Sequence, residues 1–219
     1  MFARPKTLGE LNVRFGTNAT FAFEQSEHKK DRQIYSAGAP ADYVYRIKKG
    51  AVRTYKLLDD GRRQIDAFHL EGDIFGLTSE DRHRFSAETV IDTTLWLIKR
   101  QSFELADDVD GTILQYLLGS TAQSLHHAED HLLLLGRKEA IEKVAAFLLE
   151  MDQRLASTGT ISLPMTRRDI ADYLGLTVET VSRALSKLKK AGAISFAGNQ
   201  QREIKILSRT RLLALDARE

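Results

Sequence analysis

The chain has 219 residues, 42% of them hydrophobic and 28% charged, which is enough for two modest domains with cores of their own and argues against disorder. With 32 Lys and Arg against 30 Asp and Glu, the net charge of +2 favours neither nucleic acid nor an anionic membrane by itself. There is no Cys, which excludes disulfides, thiolate zinc, cysteine-ligated iron-sulfur clusters, cysteine nucleophiles and thiol switches.

Met1 to Glu10 lacks the apolar core of a secretion signal, and no stretch approaches the roughly 18 apolar residues of a membrane span. The expectation is a cytoplasmic protein. From Ile34 to Ile98 turn signals recur at close intervals: Ser36 to Pro40, Lys49-Gly50, Asp59-Asp60-Gly61, Glu71-Gly72-Asp73 and Gly76. Between them lie β-leaning runs at Tyr43 to Ile47, Ala51 to Leu58, Gln64 to Leu70 and Thr93 to Ile98. This pattern predicts an antiparallel β-roll over residues 1–110.

After Gly111 the period changes. Leu114, Leu118, Thr121, Leu125, Ala128, Leu132 and Leu135 are spaced by alternating steps of four and three, the a/d seam of a helix that pairs with another helix. Ile113, Leu117, Leu133 and Leu134 widen the stripe, so part of it is expected to pack on the roll, and a purely intrachain role is the alternative to dimerisation. Gly136 ends the run, giving a dimerisation helix over 111–136 and a third region over 137–219. Ile141, Val144, Ala145, Leu148 and Leu149 then mark a further helix before Ser157-Thr158-Gly159.

Met165 to Gly192 reads as two helices about a tight turn. Thr166 is an N-cap with Asp169 three residues on, Gly175 supplies the turn, and Thr177 caps a second helix that runs to a Lys-rich end before Gly192. Ile170, Ala171, Leu174, Leu176, Val181, Leu185 and Leu188 then share one core, leaving Val178, Glu179, Ser182 and Arg183 facing out. A recognition helix reads base edges from its N-terminal residues. Arg forks onto guanine O6 and N7, and Glu accepts from the cytosine amino group. The competing reading of Glu179 and Arg183 is a solvated ion pair one turn apart. Ala193 to Leu207 alternates as a hairpin turning near Gly198-Asn199-Gln200, which makes a wing. Arg183 to Arg211 carries Lys187, Lys189, Lys190, Arg202, Lys205 and Arg209 against Glu203 alone, a local excess suited to phosphates.

This order of parts, an α+β chain with an N-terminal cyclic-nucleotide-binding-like β-roll, a long dimerisation helix and a C-terminal winged helix-turn-helix, resembles the CRP/FNR superfamily of bacterial regulators. Val178-Glu179-Thr180-Val181-Ser182-Arg183 is similar to the FNR branch; the cyclic-AMP receptor branch has Arg at the Val178 position and Gly at the Ser182 position. The resemblance implies a homodimer on double-stranded DNA, reading an inverted repeat of TTGAT-like half-sites. It further implies Arg183 on the guanine, Glu179 on the opposite bases, Ser182 near a thymine, and backbone contacts from Thr166, Arg167, Thr177 and Thr180. The dimer would set two recognition helices in successive major grooves, roughly 34 Å apart.

Cyclic-nucleotide binders of the superfamily carry a Gly-Glu-Leu segment and an Arg-Ser pair around the ligand. Gly76-Leu77-Thr78 and Phe85-Ser86 stand in their place, and without Cys the cluster of FNR is excluded too. What remains resembles the FixK-like group, activators that need neither cyclic nucleotide nor iron-sulfur cluster and serve microaerobic, nitrogen-fixation and denitrification genes. The alternative is a regulator gated by an unidentified small molecule in the roll. No cofactor and no metal site are expected: His126, His127 and His131 read as solvated helix residues and His69 as structural. No nucleophile elbow, phosphate loop or metal-ligand spacing occurs, so the chain is not expected to be an enzyme. In the superfamily, surface loops near the charged run Glu80 to Arg84 contact RNA polymerase.

Overall fold

In the computed structural model, residues 24–104, 111–137, 139–155, 159–197 and 202–216 are described. They form two compact units, one joining the described residues up to Lys56 with Phe68–His127, the other joining Leu57–Ala67 with those of Ala128–Glu219.

The first unit is a roll of two antiparallel sheets. One has the order β1 (Glu24–His28), β8 (Thr93–Lys99), β3 (Tyr43–Lys49), β6 (Ile74–Phe75); the other β2 (Gln33–Tyr35), β7 (Ser86–Thr89), β4 (Ala51–Leu57), β5 (Arg63–Leu70). The four expected strands lie where the β-leaning runs placed them, and β1, β2, β6 and β7 are added. Gly50, between β3 and β4, has φ of 112°, and a Cβ there would lie 2.7 Å from Thr93 Cα, so only glycine fits. Tyr45, Ile47, Val52, Phe75, Ala87 and Leu95 close the core.

After α1 (Gln101–Glu104), the long helix α2 spans Gly111–Arg137. Of the seam residues, Leu118, Leu125 and Leu132 are 60%, 58% and 71% exposed, which leaves a heptad-spaced apolar row on the surface of the single chain. Thr121 and Ala128 are exposed as well and Leu135 is half-buried, whereas the Leu114 side chain lies outside the described residues, as does that of Ile113. Leu133, expected to help pack on the roll, is instead 63% exposed. His131 also departs from its solvated reading: it stacks on Tyr173 with ring centroids 4.1 Å apart. Both residues belong to the second unit, and nothing local in the sequence signals a contact 42 positions away.

The second unit contains α3 (Ala140–Arg154), β9 (Thr160–Ser162), α4 (Arg167–Leu174), α5 (Val178–Lys190), β10 (Ile194–Ala197), β11 (Glu203–Ile206) and α6 (Arg209–Asp216). Phe147, Leu148 and Met151 from α3, Ile170 and Leu174 from α4, Val181, Leu185 and Leu188 from α5, and Leu212 from α6 fill one core. The wing is an antiparallel sheet of order β10-β11-β9, with Ile194 opposite Ile206 and Ile204 opposite Ile161. Its expected turn at Gly198-Asn199-Gln200 lies outside the described residues. Among the described residues, no helix is long and apolar enough to cross a membrane.

Candidate nucleic-acid interface

Two capped helices about one left-handed residue hold the interface. Thr166 accepts from the Asp169 amide at 3.2 Å, while its own amide and hydroxyl donate to Asp169 Oδ2 at 2.9 and 2.7 Å, so the first turn of α4 is closed from both ends. Gly175 takes φ 63° and ψ 37°, and the Leu176 amide returns to the Ala171 carbonyl at 2.9 Å. Thr177 Oγ1 then accepts from the Thr180 amide at 3.2 Å and lies 3.0 Å from the Thr180 hydroxyl. Helix α5 therefore starts where its cap starts it, with Glu179 in its first turn and three Lys in its last, signs that suit both ends of the helix dipole.

On this frame Glu179 and Arg183 are exposed, while Val178 and Ser182 are half-buried. Arg183 Nε approaches the Glu179 main-chain carbonyl at 3.4 Å. The Glu179 carboxyl sits below its ordinary range, held down first by its own backbone amide, then by Thr177, with a smaller contribution from Arg183. Arg167 reaches α5, donating from Nη1 to Ser182 Oγ at 2.9 Å, so the structure joins these two site residues directly.

Asp169 has a further role that no spacing announced. Arg63, in the part of β5 that belongs to the second unit, donates to Asp169 Oδ1 at 2.6 Å and to Asp172 Oδ2 at 2.9 Å. Burial works to lower the Arg63 pKa, but Asp172 and Asp169 outweigh it and the net direction is upward. Asp169 thus ties the cap of α4 to a residue 106 positions earlier.

The basic excess is smaller than its sequence count. Arg209 is engaged with Asp152, a buried carboxylate, and Arg211 donates to the Ala191 carbonyl at 2.7 Å. Lys187, Lys190 and Lys205 are exposed; Lys189 is exposed too, with its ammonium 5.5 Å from the Phe196 ring centroid. Phe196 and Arg63 were missed at the sequence level; alternation placed Phe196 in the wing without marking its role.

The roll offers a different surface. Ser86 Oγ accepts the Ala37 amide at 2.9 Å, and Arg82 donates to the Gly38 carbonyl at 2.6 Å. His83, read as part of a charged surface loop, is 5% exposed and stacks on Tyr35 at 3.6 Å between centroids. Burial lowers its pKa against a weaker opposing pull from Asp42. His69 meets Thr54 Oγ1 at 3.1 Å and stacks on Phe75 at 5.2 Å.

Residues 142–215 match the model of the Crp-like helix-turn-helix domain, and 25–106 that of the cyclic nucleotide-binding domain. The chain is 39% identical over 220 residues to the nitrogen fixation regulation protein FixK of Azorhizobium caulinodans, covering 98% of this chain and 84% of that one. It is 42% identical over 168 residues to FixK of Rhizobium meliloti, covering 77% of this chain and 76% of the relative. The structure of FixK2 from Bradyrhizobium japonicum matches with a TM-score of 0.84 at 55% identity, over 90% of this chain and 99% of that one.

Proposed function

The chain belongs to the FixK-like group in the FNR branch of the CRP/FNR superfamily, DNA-binding transcription regulators and not enzymes, and on that premise we propose that it is an activator that reads an inverted repeat of TTGAT-like half-sites as a homodimer. It acts in the bacterial cytoplasm, with RNA polymerase as its further partner and nitrogen-fixation, microaerobic or denitrification genes as its targets. Neither cyclic nucleotide nor an iron-sulfur cluster is needed.

The observation that carries the reading is the outer face of α5. Its cap fixes where the helix begins, and Glu179, Ser182 and Arg183 follow within its first two turns, the part of a recognition helix that meets base edges. Thr177 and Thr180 at the same helix end, and Thr166 and Arg167 at the start of α4, stand at the positions from which the resemblance implies backbone contacts. Dimerisation is supported by Leu118, Leu125 and Leu132, an exposed row that a second copy of α2 would cover. Leu114, Thr121, Ala128 and Leu135 complete that seam. Ligand independence is supported by the roll's polar groups, since Ser86 and Arg82 bond the protein's own main chain and His83 packs into an aromatic cluster.

Selection of duplexes from a randomised pool by the purified protein, without added nucleotide, tests this. TTGAT and its inverted repeat at fixed spacing is the expected product; an unrelated motif, a single half-site or no enrichment would overturn it.

A further inference from the structure

Arg167 stands at the first position of α4, where the family resemblance implies a backbone contact. Its guanidinium is nevertheless occupied within the domain. Nη1 donates to Ser182 Oγ at 2.9 Å, and the guanidinium carbon lies 5.7 Å from the centroid of Phe196 on β10. Three elements therefore meet at this one side chain: α4 supplies it, the wing gives it a ring to lie over, and α5 receives its hydrogen bond.

The direction of that hydrogen bond is fixed by chemistry. A guanidinium has five N–H donors and no acceptor, so Ser182 Oγ accepts. A serine hydroxyl has two lone pairs and one hydrogen; with one lone pair held by the Arg167 cation, the group is polarised into a better donor and a poorer acceptor. Ser186, one turn further along α5, spends its hydrogen on the Ser182 carbonyl at 2.9 Å, the usual use of a helical serine. We propose that Arg167 is a positioning residue for base specificity: it presents the Ser182 hydroxyl to the major groove as a hydrogen-bond donor. A base that offers an acceptor there, such as thymine O4 or a purine N7, is then preferred over cytosine, whose groove-facing amino donor would need the weakened second lone pair.

The inference rests on α5 being the recognition helix, and the test separates the two. The intact protein and its S182A, R167M, R167K and S182A/R167M variants are titrated, at one stated salt concentration, against duplexes carrying each of the four bases at every half-site position. S182A is expected to flatten discrimination at one position by about fivefold to tenfold, the worth of one hydrogen bond. R167M flattens the same position by a similar factor, leaves the guanine preference of Arg183 intact, and adds little in the double variant. R167K, which keeps the charge on a shorter side chain with one donor group, flattens that position too without changing the salt dependence. The proposal is overturned if R167M weakens all duplexes equally, lowers the salt slope by about one and adds fully to S182A, since that describes a phosphate contact and leaves the reading by Ser182 standing. Were S182A to alter discrimination nowhere, Ser182 would not read a base, and the assignment of α5 would fail at that residue.

Discussion

In the roll, Arg53 is turned inward onto Glu88 at 2.6 Å and Asp31 at 3.2 Å, His83 is stacked on Tyr35, and Ser86 accepts a main-chain amide. On α5, Glu179 and Arg183 stand exposed, and the groups that bond there, Thr177, Thr180 and Arg167, hold the helix or its side chains in place. These side chains of the first region bond or stack within it, although His83 Nε2 is buried without a hydrogen-bond partner among the described residues, whereas Glu179 and Arg183 face outward. Desolvation explains why both can be stable: a buried polar group costs free energy unless its partner is internal, while an exposed one costs little until it binds. On the proposed function, α5 keeps exposed groups for DNA while Arg53, His83 and Ser86 of the roll are turned onto the protein itself.

Breaking the pairing of the reading heads has the largest expected effect. Leu125→Glu, or Leu132→Glu, puts a charge into the exposed seam of α2; affinity for a full inverted repeat should fall roughly a hundredfold or more as one chain loses its neighbour's contribution. Sedimentation would show monomers, and a surviving dimer would sink the seam. Arg183→Ala comes next, costing about 1 to 3 kcal/mol at the guanine and relaxing preference there, measured by titration against base-substituted duplexes. A loss equal on every sequence would instead make Arg183 a phosphate contact.

Thr177→Ala removes the cap of α5 and should cost about 1 kcal/mol of stability, read from thermal or denaturant unfolding, with a modest loss on all duplexes. The smallest effect belongs to the roll. His83 has its folded pKa below the ordinary 6.5, so between those values the unfolded chain holds more protons. Stability contributed by the neutral ring is accordingly complete above pH 6.5 and declines as pH falls toward the folded pKa. In pH-dependent unfolding, His83→Gln should flatten that part of the profile; an unchanged slope would mean that His83 is not the group responsible.

How much was legible in the sequence follows from the range of the interactions. The caps at Thr166 and Thr177, the left-handed Gly175 and the alternation of the wing are set by neighbours within a few residues, and each appears as expected. Strand β9 is only Thr160–Ser162, too short to show a period, and α6 buries its Leu212 without a clear apolar stripe, so neither was expected. Arg63 reaching Asp169, His131 reaching Tyr173 and His83 turning onto Tyr35 join positions 106, 42 and 48 residues apart, and no local spacing encodes them. For the same reason the candidate site residues could be chosen by type, but the Arg167–Ser182 hydrogen bond between two of them could not be read from spacing.

The contrast between a spent roll and an available α5 is tested most directly by fluorescence anisotropy at fixed salt. The protein is titrated on an intact TTGAT inverted repeat and on one with both guanines replaced, first alone and then with saturating cyclic AMP or cyclic GMP. The account predicts tight binding with at least a roughly hundredfold preference for the intact site, unchanged by either nucleotide. Sequence-blind binding that becomes specific only when a nucleotide is added would contradict it.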